Sequence, residues 1–192
     1  MVHIAVIGGP MSAGKTTELS RRYQVAKIAH QHVVIIKPTT DDRSGASLGI
    51  RQENPQGEFV IVEKDPATLI QNQEELQKLL QEFEPELLIV DEAHFFKEWF
   101  CAYMRELSLR KDLDMRIVIA GLELDAWGNT FGFMPQLMAI ADEVIKLTAV
   151  CMKCRKEGAT MTQKKGGSHE QIEVGSKMYE ARCKRCWTPP EN

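Results

Sequence analysis

The sequence predicts an α/β fold: a three-layer domain built on a parallel sheet, with a small cysteine-bearing unit at its C-terminal end. Three observations predict it. Short apolar runs rich in β-branched residues alternate with longer helical stretches over the first 150 residues, the pattern of βαβ units. The first run leads into Gly-Pro-Met-Ser-Ala-Gly-Lys-Thr at residues 9–16, a G-x-x-x-x-G-K-T loop that belongs between a strand and a helix. Two Cys-x-x-Cys pairs with 28 residues between them lie near the end of the chain.

Taken in order, residues 2–7 read as a buried strand and residues 16–29 as a helix with Leu19, Tyr23, Ala26 and Ala29 along one side. Residues 32–37 form a second apolar run, which Pro38 stops. Residues 39–57 are polar and too long for an ordinary connection, so they read as a functional loop. Residues 59–62 are a short strand. Pro66 is expected to open a helix whose apolar side is Leu69, Leu76, Leu79, Leu80 and Phe83. Residues 87–90 form a strand ending in Asp91-Glu92, residues 99–109 an amphipathic helix, and residues 116–120 a strand before Gly121. A loop over 123–135, a short helix over 136–141 and a last core strand over 144–150 complete the domain. In parallel sheets ligands gather at the carboxyl ends of strands. Gly9, Asp41, Asp91 and Glu123 all follow strands and are expected to converge there.

The glycine loop carries the first chemistry. Gly9, Pro10, Met11, Ser12, Ala13 and Gly14 form the turn whose backbone N–H groups, Pro10 having none, would point at phosphate oxygens, helped by the helix N-terminus. Lys15 would bring a positive charge to the terminal phosphates, and the Thr16 hydroxyl would ligate Mg²⁺. The partner signal is Ile89-Val90-Asp91-Glu92. An acid after a buried strand holds Mg²⁺ in phosphate-loop proteins, and a second beside it can deprotonate the attacking nucleophile. Residues 91–94 spell Asp-Glu-Ala-His, which by itself resembles a helicase motif. Such motors need two similar α/β domains, and 192 residues hold one. His94 is therefore read as a local polar contact near the phosphates.

Cys151, Cys154, Cys183 and Cys186 form the sulfur set that structural Zn²⁺ prefers. Between them a hairpin is expected, with strands over 159–164 and 171–174 and a turn at 165–168. A closed four-thiolate site keeps no open coordination position, so this zinc would stabilise the fold. The fifth cysteine, Cys101, reads as packing.

Composition bounds the rest. Apolar residues make up 43% of the chain, a globular value, and no apolar run approaches the ~20 residues of a membrane span. The first residues run into a strand with no signal-like segment, so a cytoplasmic protein without membrane or disulfides is expected. The net charge of −3 excludes a strongly basic nucleic-acid binder. Residues 1–150 carry 15 basic and 22 acidic side chains, whereas residues 151–192 carry 9 and 5. That shift places a boundary near Val150, giving domains over 1–149 and 150–192. The basic tail invites a second reading, an ATPase that binds nucleic acid. Residues 151–192 offer only Tyr179 and Trp187 as stacking platforms, which argues against it.

These motifs converge on one family. The chain resembles the zinc-containing type II thymidine kinases over nearly its whole length. The resemblance is carried by G-P-M-S-A-G-K-T-T-E-L at 9–19, I-K-P-T-T-D-D-R at 36–43, D-E-A-H-F-F at 91–96, K-L-T-A-V-C-M-K-C at 146–154 and Y-E-A-R-C-K-R-C at 179–186. It implies a RecA-like kinase domain with a zinc-bound lasso closing over a deoxynucleoside, and a cytosolic homotetramer. The implied reaction moves the γ-phosphate of ATP to the 5′-hydroxyl of thymidine or deoxyuridine. By matching position, Glu92 is the general base. Asp41 and Arg43 approach metal and phosphate, and Asp91 and His94 lie on the nucleotide side. Phe95, Leu122, Ile172, Glu173, Val174, Gly175 and Tyr179 surround the nucleoside. The chain departs from the family pattern at Glu123, where Asp is usual, at Ala126, where a stacking Phe is frequent, at His94, where Gln is common, and at Ile50-Arg51. These departures keep another pyrimidine deoxynucleoside open as substrate.

Overall fold

The computed structural model describes residues 1–39, 47–53, 59–165 and 178–190. Five pairings, all parallel, build a six-stranded sheet from β1 (His3–Gly8), β2 (Val33–Pro38), β5 (Thr68–Ile70), β6 (Leu87–Val90), β7 (Arg116–Ala120) and β8 (Glu143–Lys146). Their order is β5-β2-β6-β7-β1-β8. One strand, β7, separates the strand that leads into the glycine loop from the strand that ends in Asp91, as a RecA-like domain requires. Because all six strands run the same way, the loops after β1, β2, β6 and β7 open on one edge.

The side-chain period of two divides each central strand between two cores. Ile4, Val6, Val34, Ile36, Leu88, Val90, Ile117 and Ile119 face one side. There they meet Leu76 of α2 (Gln73–Phe83), Phe100 and Met104 of α3 (Glu98–Ser108), and Met134 and Leu137 of α4 (Met134–Ile140). Ala5, Ile7, Ile35, Leu87, Ile89, Val118 and Ala120 face the other side and meet Leu19 and Ala26 of α1 (Lys15–Ile28). The expected three layers are present. Among the described residues no helix is long and apolar enough to cross a membrane.

Four expectations are corrected. Pro66 does not open a helix. It ends β4 (Phe59–Pro66), and Leu69 lies in the edge strand β5. The helix begins after Asn72, whose side chain accepts from the Glu75 amide at 2.9 Å while Glu75 accepts from the Gln71 amide at 2.8 Å. This pair of side-chain caps is a stronger start than a proline six residues upstream. The strand over 59–62 belongs to β4, which pairs antiparallel with β3 (Ser47–Glu53) in a separate hairpin outside the main sheet. Part of the long polar loop is therefore strand. The short helix starts at Met134, with a proline in its first turn. The last strand runs from Glu143 to Lys146 and is an edge strand with mostly exposed side chains. Beyond it the backbone leaves the sheet, and Ala149 bridges to Ala159.

In the C-terminal unit β9 (Met161–Lys164) pairs antiparallel with β10 (Tyr179–Arg182). Residues 171–174 and the turn at 166–168 lie outside the described residues.

Candidate active site

The glycine loop follows β1 directly. Gly14 stands at the N-cap of α1 with φ +86°, a left-handed conformation that glycine adopts without strain, and no side chain caps the helix. A Cβ placed on Gly14 would meet nothing within 4 Å. The mouth of the loop is open, and the first amides of α1 face it, the arrangement that anions occupy at helix N-termini. Lys15 Nζ donates to the carbonyls of Gly9 at 2.9 Å and Pro10 at 2.8 Å, so the ammonium is held inside the loop. Thr16 lies in the first turn of α1. The loop is fastened from outside at two points. The Gly9 amide donates to the Glu123 carboxylate, which also lies 3.6 Å from Lys146 Nζ. The Met11 amide donates to Thr162 Oγ1 of β9 at 3.2 Å.

Asp91 and Glu92 leave the end of β6. The Asp91 amide donates to the Ile36 carbonyl at 3.1 Å, and the Asp91 carboxylate lies 3.4 Å from Lys37 Nζ of β2. Both side chains are buried, at 6% and 3% exposure, so each charge depends on the other. The Glu92 amide donates to Asp91 Oδ1 at 3.1 Å. Glu92 itself has φ +54°. For a residue with a side chain this costs about 1–3 kcal/mol, and such strain clusters at active sites. The cost is met by a 3₁₀ turn over Ala93–Phe95, in which the Glu92 carbonyl accepts from the Phe95 amide at 3.1 Å. The turn leaves the Glu92 side chain a quarter exposed on the open edge.

His94 is enclosed. Its ring sits between Phe95 and Phe131, with centroid distances of 4.1 and 4.6 Å. Nδ1 accepts from the Leu122 amide at 3.1 Å, and Nε2 lies 3.6 Å from Glu92 Oε2. Gly132, at φ +52°, passes so close that an added Cβ would lie 2.5 Å from the His94 carbonyl oxygen. Gly132→Ala is therefore expected to destabilise the protein by about 1–3 kcal/mol and to lower turnover by displacing the 92–94 turn. A thermal melt alongside a turnover assay checks both, and an unchanged melting temperature would show that the turn yields.

The four cysteines come together as expected. Their sulfurs lie within 4.8 Å of one another. Both knuckles are tight backbone turns, with Arg155 N donating to Cys151 O at 2.8 Å and Cys186 N to Cys183 O at 2.9 Å. Burial acts to raise the Cys151 thiol, but backbone N–H groups of Cys154, Cys183 and Lys153 outweigh it and bring it down to about 6. The Cys183 sulfur, burial, and the Cys154 and Cys151 sulfurs push Cys186 up to about 12. Four sulfurs gathered in this way are a donor set that fits zinc. Ala13 of the glycine loop packs against the same small core as Cys151, Cys183 and Cys186.

The loop residues, Asp91, Glu92, His94, Phe95 and Leu122 are thus placed on or beside one sheet edge. Tyr179 opens β10, opposite Lys164. Asp41, Arg43, Ile172, Glu173, Val174 and Gly175 lie outside the described residues. The sequence reading missed several contributors. Lys37 supplies the buried countercharge to Asp91. Thr162 ties β9 to the loop. Asp125 is buried and accepts from the Trp127 and Asn129 amides, each at 2.9 Å, so the stretch after Glu123 is a built turn. The Trp187 indole donates to the carbonyls of Ala126 at 3.3 Å and Thr162 at 3.2 Å, clasping that turn to β9. Asp-x-x-Gly-Asn was a visible turn signal at Asp125. Nothing local marked Thr162 or Trp187.

A glycine loop at a helix N-terminus and two acids on one edge of a parallel sheet are an arrangement suited to phosphoryl transfer. Comparison with known proteins narrows the class. The family profile described as thymidine kinase matches residues 2–187. A thymidine kinase of Bacteroides thetaiotaomicron is 36% identical over 185 residues, covering 96% of this chain and 86% of that protein. The chain belongs to the thymidine kinase family. Among solved structures, Bacteroides Pif1 bound to single-stranded DNA aligns with a TM-score of 0.38 and 14% identity, over 76% of this chain and 38% of that one. A likeness that slight bears on neither fold nor function.

Proposed function

We propose that the protein transfers the γ-phosphoryl group of ATP to the 5′-hydroxyl of thymidine or deoxyuridine, with Glu92 as general base. Membership of the family supports nucleoside phosphorylation. The observation that carries the residue assignment is the strained Glu92, held with its carboxylate on the edge where the glycine loop opens.

In this reading the loop amides beyond Met11 and those of the first turn of α1 cradle the triphosphate, while the Met11 amide stays tied to Thr162. Lys15 exchanges its loop carbonyls for phosphate oxygens, a stronger charge-assisted partner. Thr16 and Asp91 are the residues that would hold Mg²⁺. Mg²⁺ when bound would neutralise charge between the β- and γ-phosphates. Glu92 accepts the 5′-hydroxyl proton as that oxygen attacks phosphorus in line. Phe95, Leu122 and Tyr179 border the nucleoside. Asp41, Arg43 and residues 172–175 are assigned to phosphate and base by family position. Residues 1–149 act as the kinase domain, and residues 150–192 as a zinc-bound lid that keeps bulk water from the γ-phosphate. A cytoplasmic homotetramer follows from the same resemblance.

A coupled ATP-consumption assay across the deoxynucleosides tests this function. Thymidine and deoxyuridine are expected to stimulate ATP use, and single-stranded DNA is not. Stimulation by DNA, by another nucleoside alone, or by nothing would overturn the proposal.

A further inference from the structure

We infer that His94 is a positioning residue for this reaction: it holds the Glu92 carboxylate in the orientation from which it takes the hydroxyl proton. The inference rests on Glu92 being the base.

The argument begins with the tautomer. His94 Nδ1 accepts from the Leu122 amide at 3.1 Å, so Nδ1 carries no hydrogen. The neutral ring then has its hydrogen on Nε2. Nε2 is the atom that faces Glu92, 3.6 Å from Oε2. That separation is longer than a formed hydrogen bond. Catalytic hydrogen bonds are commonly long before substrate arrives and tighten in the reactive complex.

The ring has no freedom to turn away. Its side chain is fully enclosed, with Phe95 and Phe131 tilted against the ring on two sides. Leu122 follows β7 and Glu92 follows β6, and these strands are neighbours in the sheet. His94 therefore ties the base to an adjacent strand end. Glu92 has three rotatable side-chain bonds and is a quarter exposed. A directed donor selects one of its orientations, and a 1 Å misplacement of a reacting group can cost ~100-fold in rate.

Two substitutions separate the two ring nitrogens. His94→Asn keeps an oxygen near the Nδ1 position, able to accept from Leu122, and removes the donor toward Glu92. His94→Gln places an amide N–H near the Nε2 position and gives up the acceptor at Nδ1. We expect His94→Asn to lower kcat by ~10-fold or more with the KM values for ATP and thymidine changed by less than ~2-fold, and His94→Gln to stay within ~3-fold of the parent. In a Glu92→Gln background, His94→Asn should cause no further loss, because its route to the chemistry has gone. The reverse order, with Asn active and Gln impaired, would show that the ring only anchors Leu122 and would overturn the inference. A loss by His94→Asn that adds in full to that of Glu92→Gln would overturn it as well. If His94→Asn does not fold, judged by its melt, His94→Gln decides alone: parental kcat supports the role and a large fall overturns it. Parental turnover in Glu92→Gln by itself marks a failure of the base assignment instead.

Discussion

Replacing Glu92 with Gln is expected to lower kcat by at least ~100-fold, the usual contribution of a positioned general base, while the dissociation constant for ATP stays near its parental value. The split follows from the geometry. In the proposed reading the triphosphate is held by the loop after β1 and the first turn of α1, where Lys15 sits, whereas Glu92 belongs to the turn after β6. Gln has the same shape and leaves the left-handed backbone at φ +54° and its 3₁₀ turn intact. What it removes is the capacity to accept a proton as the 5′-oxygen attacks. Single-turnover kinetics with an ATP-binding titration checks both halves. Unchanged turnover would strip Glu92 of the base role. Loss of ATP affinity would mean that the carboxylate acts on the nucleotide.

Stripping zinc from the four cysteines is expected to have the second large effect, and one that reaches beyond the C-terminal unit. Structural zinc sites carry ~10–16 kcal/mol of apparent binding free energy in small peptides. Even a fraction of that, several kcal/mol, would lower the melting temperature by about 10 °C in a chain of this size. The effect should also reach ATP. Ala13 packs into the small core formed with Cys151, Cys183 and Cys186, and the Met11 amide is held by Thr162 of β9. A Cys183→Ser variant, or the chelated protein, should therefore lose ATP affinity as well as thermal stability. Metal content, a melt and an ATP titration on one sample make the check. Full ATP affinity in a zinc-free protein would show that the glycine loop stands without that support.

The parallel sheet was legible because its central strands are short apolar runs buried on both faces, and the glycine loop fixed where one of them had to end. The cysteine cluster was legible from spacing alone, since two knuckles of four thiols have few other uses. The misread stretch at 66–83 shows the limit of periodicity. Leu69 fell into step with Leu76, Leu79 and Leu80, yet Asn72 and Glu75 cap the helix below it and leave Leu69 on an edge strand. The signal was present and was outweighed by a proline. Lys37, Thr162 and Trp187 were illegible for a different reason. Trp187 meets Ala126 across 61 positions, Thr162 meets Met11 across 151, and Lys37 finds Asp91 only because β2 and β6 are neighbours. Such contacts are properties of the assembled sheet and lid, and no local pattern encodes them.

The carboxylate of Glu123 on the Gly9 amide gives the glycine loop a direction. Its back is closed by an acid shared between the Gly9 amide and the Lys146 ammonium, and its other end, at Gly14, leads into the N-terminus of a helix. That one side chain ties together the ends of β1, β7 and β8, so the glycine loop is keyed to the sheet at three strand ends and a shift of any of them is felt at Gly9.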